Sequence, residues 1–418
     1  MAFVFKKICV VGLGYIGLPT AAMFASRKVK VVGLEVNEAV ATKINKGEIH
    51  IVEPDLDIVV RAVVSEGYLT ATTKAVEADA FLLAVPTPFK GKNHEPDLSY
   101  IESAARTIAP VLKKGNLVVL ESTSPVGATE FMAKILEEMR PDLSFPMSAG
   151  EASDIRIAHC PERVLPGHVM RELVENDRVI GGMTDACSTA AIALYKTFVI
   201  GECVKTNTRT AEMAKLTENS FRDVNIAFAN ELSIICDELD IDVWELISLT
   251  NRHPRVNILT PGPGVGGHCI AVDPWFIISR TPDKAKLIKA AREVNDYKPD
   301  WVIEKIEAAI GKHLMENPKK SAKDVTLVCY GLAFKPNIDD LRESPALEIT
   351  KKLAQKHAGK VLAIEPNISK LPLGMSGVEL VDNGNDGDVH VLLVAHNEFK
   401  DSDFLKNKTV VDCVGIWK

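Results

Sequence analysis

The stretch Ile8-Cys9-Val10-Val11-Gly12-Leu13-Gly14-Tyr15-Ile16-Gly17 joins a short apolar run to three glycines at the spacing GxGxxG. Such a run, met at once by glycines, reads as a buried strand entering a tight turn, and Pro19–Ser26 then reads as helix. In that setting Gly12 permits the turn, Gly14 lets backbone amides approach a pyrophosphate, and Gly17 lets helix and strand pack closely. Glu35 ends the next strand-like run, Val29–Glu35, 18 residues after Gly17. Its carboxylate would accept hydrogen bonds from ribose hydroxyls and repel a 2′-phosphate, so NAD is the expected cofactor over NADP. A glycine turn that holds no ligand is the plain alternative.

The alternation of strand and helix continues outward from this turn. Ala80–Val85 and Asn116–Glu121 read as further strands, with a helix between them that Asp97 can cap and whose apolar face is Ile101, Ala104, Ala105, Ile108 and Val111. Repetition of this kind predicts a parallel sheet covered on both faces. From Thr208 to Asp237 there is no Gly or Pro, and a long helix is expected, with Met213, Leu216, Val224 and Ala227 on its buried stripe. A Gly/Pro cluster at 261–267 interrupts, and a second helix is expected over Asp283–Ile310. Lys312–Asp324 is polar and marks a boundary. Beyond it the rhythm resumes with strands at Val325–Tyr330, Lys360–Ile364, Val389–Val394 and Thr409–Val414, and a helix after Ser344-Pro345. The expected fold class is α/β: two Rossmann-like parallel-sheet domains joined by a long-helix central domain, with limits 1–205, 206–311 and 312–418.

The 418 residues exceed one ordinary core, and 46% hydrophobic with 25% charged residues is globular composition. Lys plus Arg is 49 against 56 for Asp plus Glu, a formal charge of −7, which argues against a nucleic-acid partner. The eight cysteines are scattered, and several lie in apolar runs, as expected of reduced thiols in a cytoplasmic protein. No zinc-type ligand spacing occurs, so no metal is expected. Lys6 and Lys7 precede only a short run broken by glycine, which reads as a first strand rather than a signal peptide. No stretch approaches the roughly 20 apolar residues of a membrane span.

Two further constellations carry chemistry. Lys215, Asn219 and Arg222 stand at i, i+4 and i+7 on the long helix, hence on one stripe. Alone, such a stripe is more often a solvated face, and its value depends on what else points at it. Gly262-Pro263-Gly264-Val265-Gly266-Gly267-His268-Cys269, with Asp273 four residues on, is a loop whose backbone can lie close to a ligand and which presents a cysteine at its end. Cysteine is suited to attack an aldehyde and to leave again from a thioester. A structural cysteine is the bland alternative.

Taken with Glu121-Ser122-Thr123-Ser124-Pro125-Val126-Gly127, Pro161-Glu162-Arg163, Glu212–Asn219 and Gly331-Leu332-Ala333-Phe334-Lys335, these motifs resemble in order and spacing the UDP-sugar 6-dehydrogenases, along essentially the whole chain. Within that family, Asn251-Arg252-His253-Pro254-Arg255-Val256-Asn257 is most similar to the branch acting on UDP-N-acetyl-D-mannosamine. Glu35 departs from the Asp usual there, and the ribose contact should survive the longer side chain. The resemblance implies an NAD-binding first domain, a central helix that builds a homodimer, and a third domain for UDP, whose Gly331-Leu332-Ala333 lacks the full dinucleotide pattern. It places cofactor contacts on Tyr15, Ile16, Glu35, Thr87, Thr123 and Arg342. Sugar-nucleotide contacts fall on Glu162, Arg163, Val164, Lys215, Asn219, Arg222, Gly264, Phe334 and Lys335, with His253 and Arg255 reaching across the dimer.

The implied reaction removes four electrons from sugar C6, with two NAD used in succession and the aldehyde never released. A water held by Lys215 and Asp273 would take the hydroxyl proton. Cys269 would add to the aldehyde, Lys215 and Asn219 would stabilise the oxyanion, and Glu162 or Thr123 would assist hydrolysis of the thioester. The uronate product would feed bacterial surface polysaccharide. UDP-N-acetylglucosamine or UDP-glucose are rival substrates. A two-electron hydroxyacid dehydrogenase is the rival reaction, needing no nucleophile. A non-enzymatic NAD sensor explains Gly12–Gly17 but gives Lys215, Asn219 and Cys269 no task.

Overall fold

A computed structural model describes residues 4–91, 94–165, 167–267, 269–401 and 403–417. The chain divides into two compact units: Met1–Glu218 with Trp275–Arg280, and Asn219–Pro274 with Thr281–Lys418.

The first unit is built on strands β1 (Lys7–Val11), β2 (Lys30–Leu34), β3 (Leu69–Thr72) and β4 (Ala80–Leu83), a small hairpin β5 (Phe89–Lys90) and β6 (Glu95–Pro96), then β7 (Leu117–Leu120), β8 (Arg156–His159), β9 (Arg178–Gly182) and β10 (Cys203–Asn207). All but the hairpin form one sheet in the order β10-β9-β8-β7-β4-β1-β2-β3. Alternate residues of the central strands feed separate cores on its two faces. Ile8, Val10, Leu82 and Val119 lie in one, and Cys9, Val11, Phe81, Leu83 and Val118 in the other. Burial on both faces explains why these strands read as unbroken apolar runs. Phe81 is fully buried, and truncating it to Ala should cost roughly 3–5 kcal/mol. The sheet is parallel through β8, but β9 runs antiparallel to β8, and β10 parallel to β9. The helix Ser99–Ile108 buries Ile101, Ala104, Ala105 and Ile108 as expected, and Asp97 accepts the Ser99 amide at 3.0 Å.

The second unit carries a five-stranded parallel sheet in the order β13-β12-β11-β14-β15, from β11 (Leu327–Tyr330), β12 (Val361–Ile364), β13 (Val378–Leu380), β14 (Val389–Leu392) and β15 (Thr409–Asp412). Its helix Lys286–Glu316 runs six residues beyond the expected end and packs Val302, Ile303 and Ile306 against Leu327, Cys329 and Val389. Ser344 caps the helix Pro345–Lys356 by accepting the Leu347 amide.

The long helix spans Thr208–Glu238. Its buried stripe differs from the apolar one expected: Met213 is 39% exposed, whereas Glu212, Leu216, Asn219, Asp223, Ala227 and Asn230 are buried. The stripe is largely polar because Glu212, Asn219, Asp223 and Asn230 each hydrogen-bond to a residue distant in sequence, which a hydrophobicity count misses. No helix among the described residues is long and apolar enough to cross a membrane.

Candidate active site

The carboxyl ends of the parallel strands are where open α/β sheets hold ligands, and the expected cofactor residues other than Arg342 collect there in the first unit. Gly12 follows β1 with φ +86° and donates its amide to Leu34 O at 2.9 Å. A Cβ on Gly17 would lie 1.8 Å from Gly12 O, so the helix Gly17–Ser26 sits directly on the turn and admits only glycine. A Cβ on Gly14 would meet no protein atom within 4 Å, leaving that space open to a ligand. The helix has no acid in its first turn, which suits an approaching phosphate, while Tyr15 and Ile16 flank its start. Glu35, just past β2, accepts the Leu13 amide at 3.1 Å and the Asn37 amide at 3.0 Å, facing the turn. Thr87 and Thr123 follow β4 and β7 and are tied together, Thr87 Oγ1 donating to Thr123 O at 2.5 Å. These residues fit NAD: an open backbone cradle, a helix amino end and an acid at the ribose position.

The Ser122–Gly127 segment is fixed from an unexpected side. Glu212, fully buried on the long helix, accepts the amides of Gly127 (2.7 Å) and Thr129 (2.8 Å) and the Thr129 hydroxyl (2.7 Å). It thereby caps the helix Ala128–Met139, one turn before Lys215, which is half-buried. Burial raises the Glu212 carboxyl above its ordinary range, and these three donors work the other way.

After β8, Glu162 is buried, with Oε2 accepting from Arg178 Nη1 and Oε1 from the Arg163 amide, both at 2.7 Å. The Arg163 side chain pairs with Glu218 at 2.7 Å and donates to Asp177 O, and Val164 packs on the core. Near them Tyr195 donates to Glu121 at 3.0 Å. Burial, aided by the Glu162 charge, pushes Glu121 up to about 8.

In the second unit three expected catalytic residues meet. Asn219 Nδ2 donates to Asp273 Oδ2 at 2.5 Å, and the Asp273 amide donates to Cys269 O at 2.9 Å, so Cys269 stands at the entrance of the helix Asp273–Arg280. Cys269 is half-buried. By contrast, burial pushes the thiols of Cys9, Cys160, Cys329 and Cys413 up to about 12, which removes them as nucleophiles near neutral pH. Arg222, one turn beyond Asn219, is exposed.

The glycine loop before Cys269 packs against the loop that follows β11. A Cβ on Gly264 would meet Pro345 at 2.9 Å, and one on Gly266 would meet Phe334 at 2.7 Å. Gly264, Phe334 and the adjoining Lys335 therefore share one locality. The loop's first residue is held by a buried chain in which each amide's direction is fixed by the next. Arg292 and Asn295 donate to Asp223 (2.6 and 2.8 Å), Asn230 donates to Asn295 Oδ1 (2.9 Å), and the Gly262 amide donates to Asn230 Oδ1 (2.9 Å). Arg342 forms a two-pronged pair with Asp340 in its own loop. His253 and Arg255 are exposed beyond the helix Val243–Thr250. His268 lies outside the described residues.

Sequence reasoning missed Arg178 and Asn230. Arg178 meets Glu162 16 residues away, Asn230 meets Asn295 and Gly262 at 65 and 32, and neither stands in a motif of its own. Glu121 and Glu212 lie inside quoted motifs, where burial without an adjacent base was the available signal.

Comparison with known proteins places this geometry. Models of the UDP-glucose/GDP-mannose dehydrogenase family match in three parts: the NAD binding domain over residues 6–199, the central domain over 209–297 and the UDP binding domain over 328–418. The chain is 62% identical to UDP-N-acetyl-D-mannosamine dehydrogenase of Escherichia coli (strain K12), covering 99% of this chain and 100% of that protein. It is 61% identical to NDP-N-acetyl-D-galactosaminuronic acid dehydrogenase of Ralstonia nicotianae, covering 99% and 96%. Among solved structures, a UDP-D-ManNAc dehydrogenase from Pyrococcus horikoshii matches with TM-score 0.86 at 38% identity, covering 99% of this chain and 96% of that one. With an NAD cradle at its amino end, a cysteine loop in its middle and full-length identity at this level, the chain belongs to the UDP-glucose/GDP-mannose dehydrogenase family.

Proposed function

We propose that this chain oxidises C6 of UDP-N-acetyl-D-mannosamine from alcohol to carboxylate, with Cys269 as the covalent anchor. The observation that carries the reading is the meeting of Cys269, Asp273 and Asn219 at the end of the glycine loop, on a chain 62% identical to a full-length enzyme of that name. NAD, held by Gly12–Gly17, Tyr15, Ile16, Glu35, Thr87, Thr123 and Arg342, supplies the hydride acceptor, used twice for each sugar.

The protein's residues handle the protons and the carbon. A water between Lys215 and Asp273 takes the C6 hydroxyl proton at the alcohol stage. At the aldehyde stage the Cys269 sulfur bonds to C6, and Lys215 and Asn219 stabilise the charge that develops on oxygen. Asp273 already orients the Asn219 amide, so the donor needs no rearrangement. At the thioester stage a water adds to C6, the carbon–sulfur bond breaks, and the thiol and the carboxylate are released. Glu162 or Thr123 assists that water. Arg163, Val164, Arg222, Gly264, Phe334 and Lys335 hold the UDP-sugar.

We assign NAD binding to 1–205, the central helices and cysteine loop to 206–311, and UDP binding to 312–418. A homodimer fits the exposed apolar line Phe221, Phe228 and Ile235, spaced by seven on the long helix. His253 and Arg255 would then serve the partner's site. A cytoplasmic enzyme feeding surface polysaccharide is the matching cellular role.

The similarity to the Ralstonia protein favours a second reading, another N-acetylated sugar nucleotide. NADH release from a panel of UDP-sugars, scored for rate and stoichiometry, separates them. Two NADH per UDP-N-acetyl-D-mannosamine at the highest kcat/KM is expected. One NADH per substrate would point to a two-electron dehydrogenase, and preference for another sugar would move the substrate.

A further inference from the structure

Glu162 is fixed more firmly than Thr123, the other group able to assist hydrolysis. Its side chain is 7% exposed, and each oxygen accepts one strong donor: Arg178 Nη1 on Oε2 and the Arg163 amide on Oε1. A carboxylate offers about four lone-pair directions, so two remain for water. Arg178, on β9, is itself 1% exposed. Its Nη2 reaches Leu173 O at 3.4 Å, and its guanidinium lies 5.3 Å from the centre of the Tyr195 ring, whose hydroxyl is bonded to Glu121. The cation thus lies between two buried glutamates. Burial raises the Glu121 carboxyl to about 8, and it is Glu162 that pairs directly with Arg178, at 2.7 Å. A buried ion pair is often replaceable by apolar packing with no loss of stability, so stability alone gives a weak reason for this one.

We propose that Arg178 is a positioning residue for the hydrolytic half of the reaction: with the Arg163 amide it fixes both Glu162 oxygens, so that their remaining lone pairs orient the water that attacks the Cys269 thioester. This rests on the role assigned above to Glu162. In that step the water oxygen bonds to C6, the carbon–sulfur bond breaks, the sulfur takes a proton, and no electrons are transferred. Arg178 contributes orientation and charge and gives up no proton.

Rapid-mixing kinetics with mass analysis of the Cys269 peptide tests this on the full-length NAD-loaded enzyme. Arg178→Met should retain a burst of two NADH per active site, because both oxidations precede hydrolysis. Its steady-state turnover should fall roughly ten- to hundredfold, the worth of a charged hydrogen bond, and a sugar-acyl adduct should accumulate on Cys269. Arg178→Lys should recover part of the turnover and show less adduct. Burst and turnover falling together without adduct, or turnover unchanged, overturns the proposal. If Arg178→Met does not fold, Arg178→Lys decides by the same readout. Glu162→Gln separates the two levels. Adduct in Glu162→Gln but in neither Arg178 variant sinks the positioning role alone, whereas no adduct in Glu162→Gln sinks the reading of Glu162 beneath it.

Discussion

The two parallel sheets begin alike and end differently. In each, a glycine with positive φ follows the first strand and donates to the carbonyl ending its neighbour, Gly12 to Leu34 O at 2.9 Å and Gly331 to Ile364 O at 2.8 Å. In each, a glutamate past the second strand accepts the amide of the following leucine, Glu35 from Leu13 and Glu365 from Leu332. The likeness then stops. Gly17 starts a helix five residues after Gly12, while in the second sheet the helix waits until Pro345, and Pro336 stands at the place corresponding to Gly17. Glu365 also accepts from Ala333, Asn367 and fully buried His396. Burial would raise its carboxyl, but these donors outweigh it and hold it at about 2. Among the described residues Glu35 accepts only the Leu13 and Asn37 amides, while Glu365 is enclosed by donors of the protein, a buried histidine among them. The second sheet is thus a frame of the same type in which the corresponding acid is a structural lock, over residues that the family's UDP binding domain matches.

The largest expected effect that tests this contrast is at Gly17. Gly17→Ala places a methyl against the Gly12 carbonyl and should weaken NAD binding by at least about a hundredfold, read by titration calorimetry. Unchanged affinity would remove the turn from the cofactor site. Next, Glu365→Gln should cost about 3 kcal/mol of stability in denaturant unfolding and leave the NAD Kd alone, because it strands buried His396. Any matching loss of NAD affinity would erase the difference between the sheets. Glu35→Ala should do the reverse, weakening NAD roughly ten- to hundredfold and relaxing discrimination against NADP with little change in stability.

A last contrast concerns pH, where buried glutamates of the two units are displaced in opposite directions. Glu365 lies below its ordinary value of 4.5, so its contribution is complete above about 4.5 and is lost as pH falls toward about 2. Glu121 lies above 4.5, so its contribution is complete below about 4.5 and is lost as pH rises toward about 8. Glu121→Gln should therefore gain melting temperature over the native protein at pH 8.5 and show little or no gain at pH 5. Equal differences at both pH values would contradict the displacement.

Much of the frame was legible because it rests on local signals. Gly12–Gly17 followed by Glu35 specified strand, turn, helix and cofactor, and a Gly- and Pro-free span gave the long helix to within a residue. What stayed hidden depends on partners distant in sequence. Glu212 capping Gly127, Asn230 holding Gly262 and Glu365 meeting His396 are joined across 85, 32 and 31 residues. Met213 was placed on the buried stripe for its hydrophobicity, whereas the buried places went to polar residues that hydrogen-bond. The antiparallel β9 carries no local sign of its direction.

The central claim is that one sulfur retains the half-oxidised sugar, and the NADH yield per UDP-N-acetyl-D-mannosamine consumed tests it most directly, native chain against Cys269→Ser. The account predicts two NADH from the native chain. The serine variant should bind NAD normally, then stall after one NADH or at a slowly hydrolysed ester. Two NADH per sugar at the native rate from Cys269→Ser would contradict it.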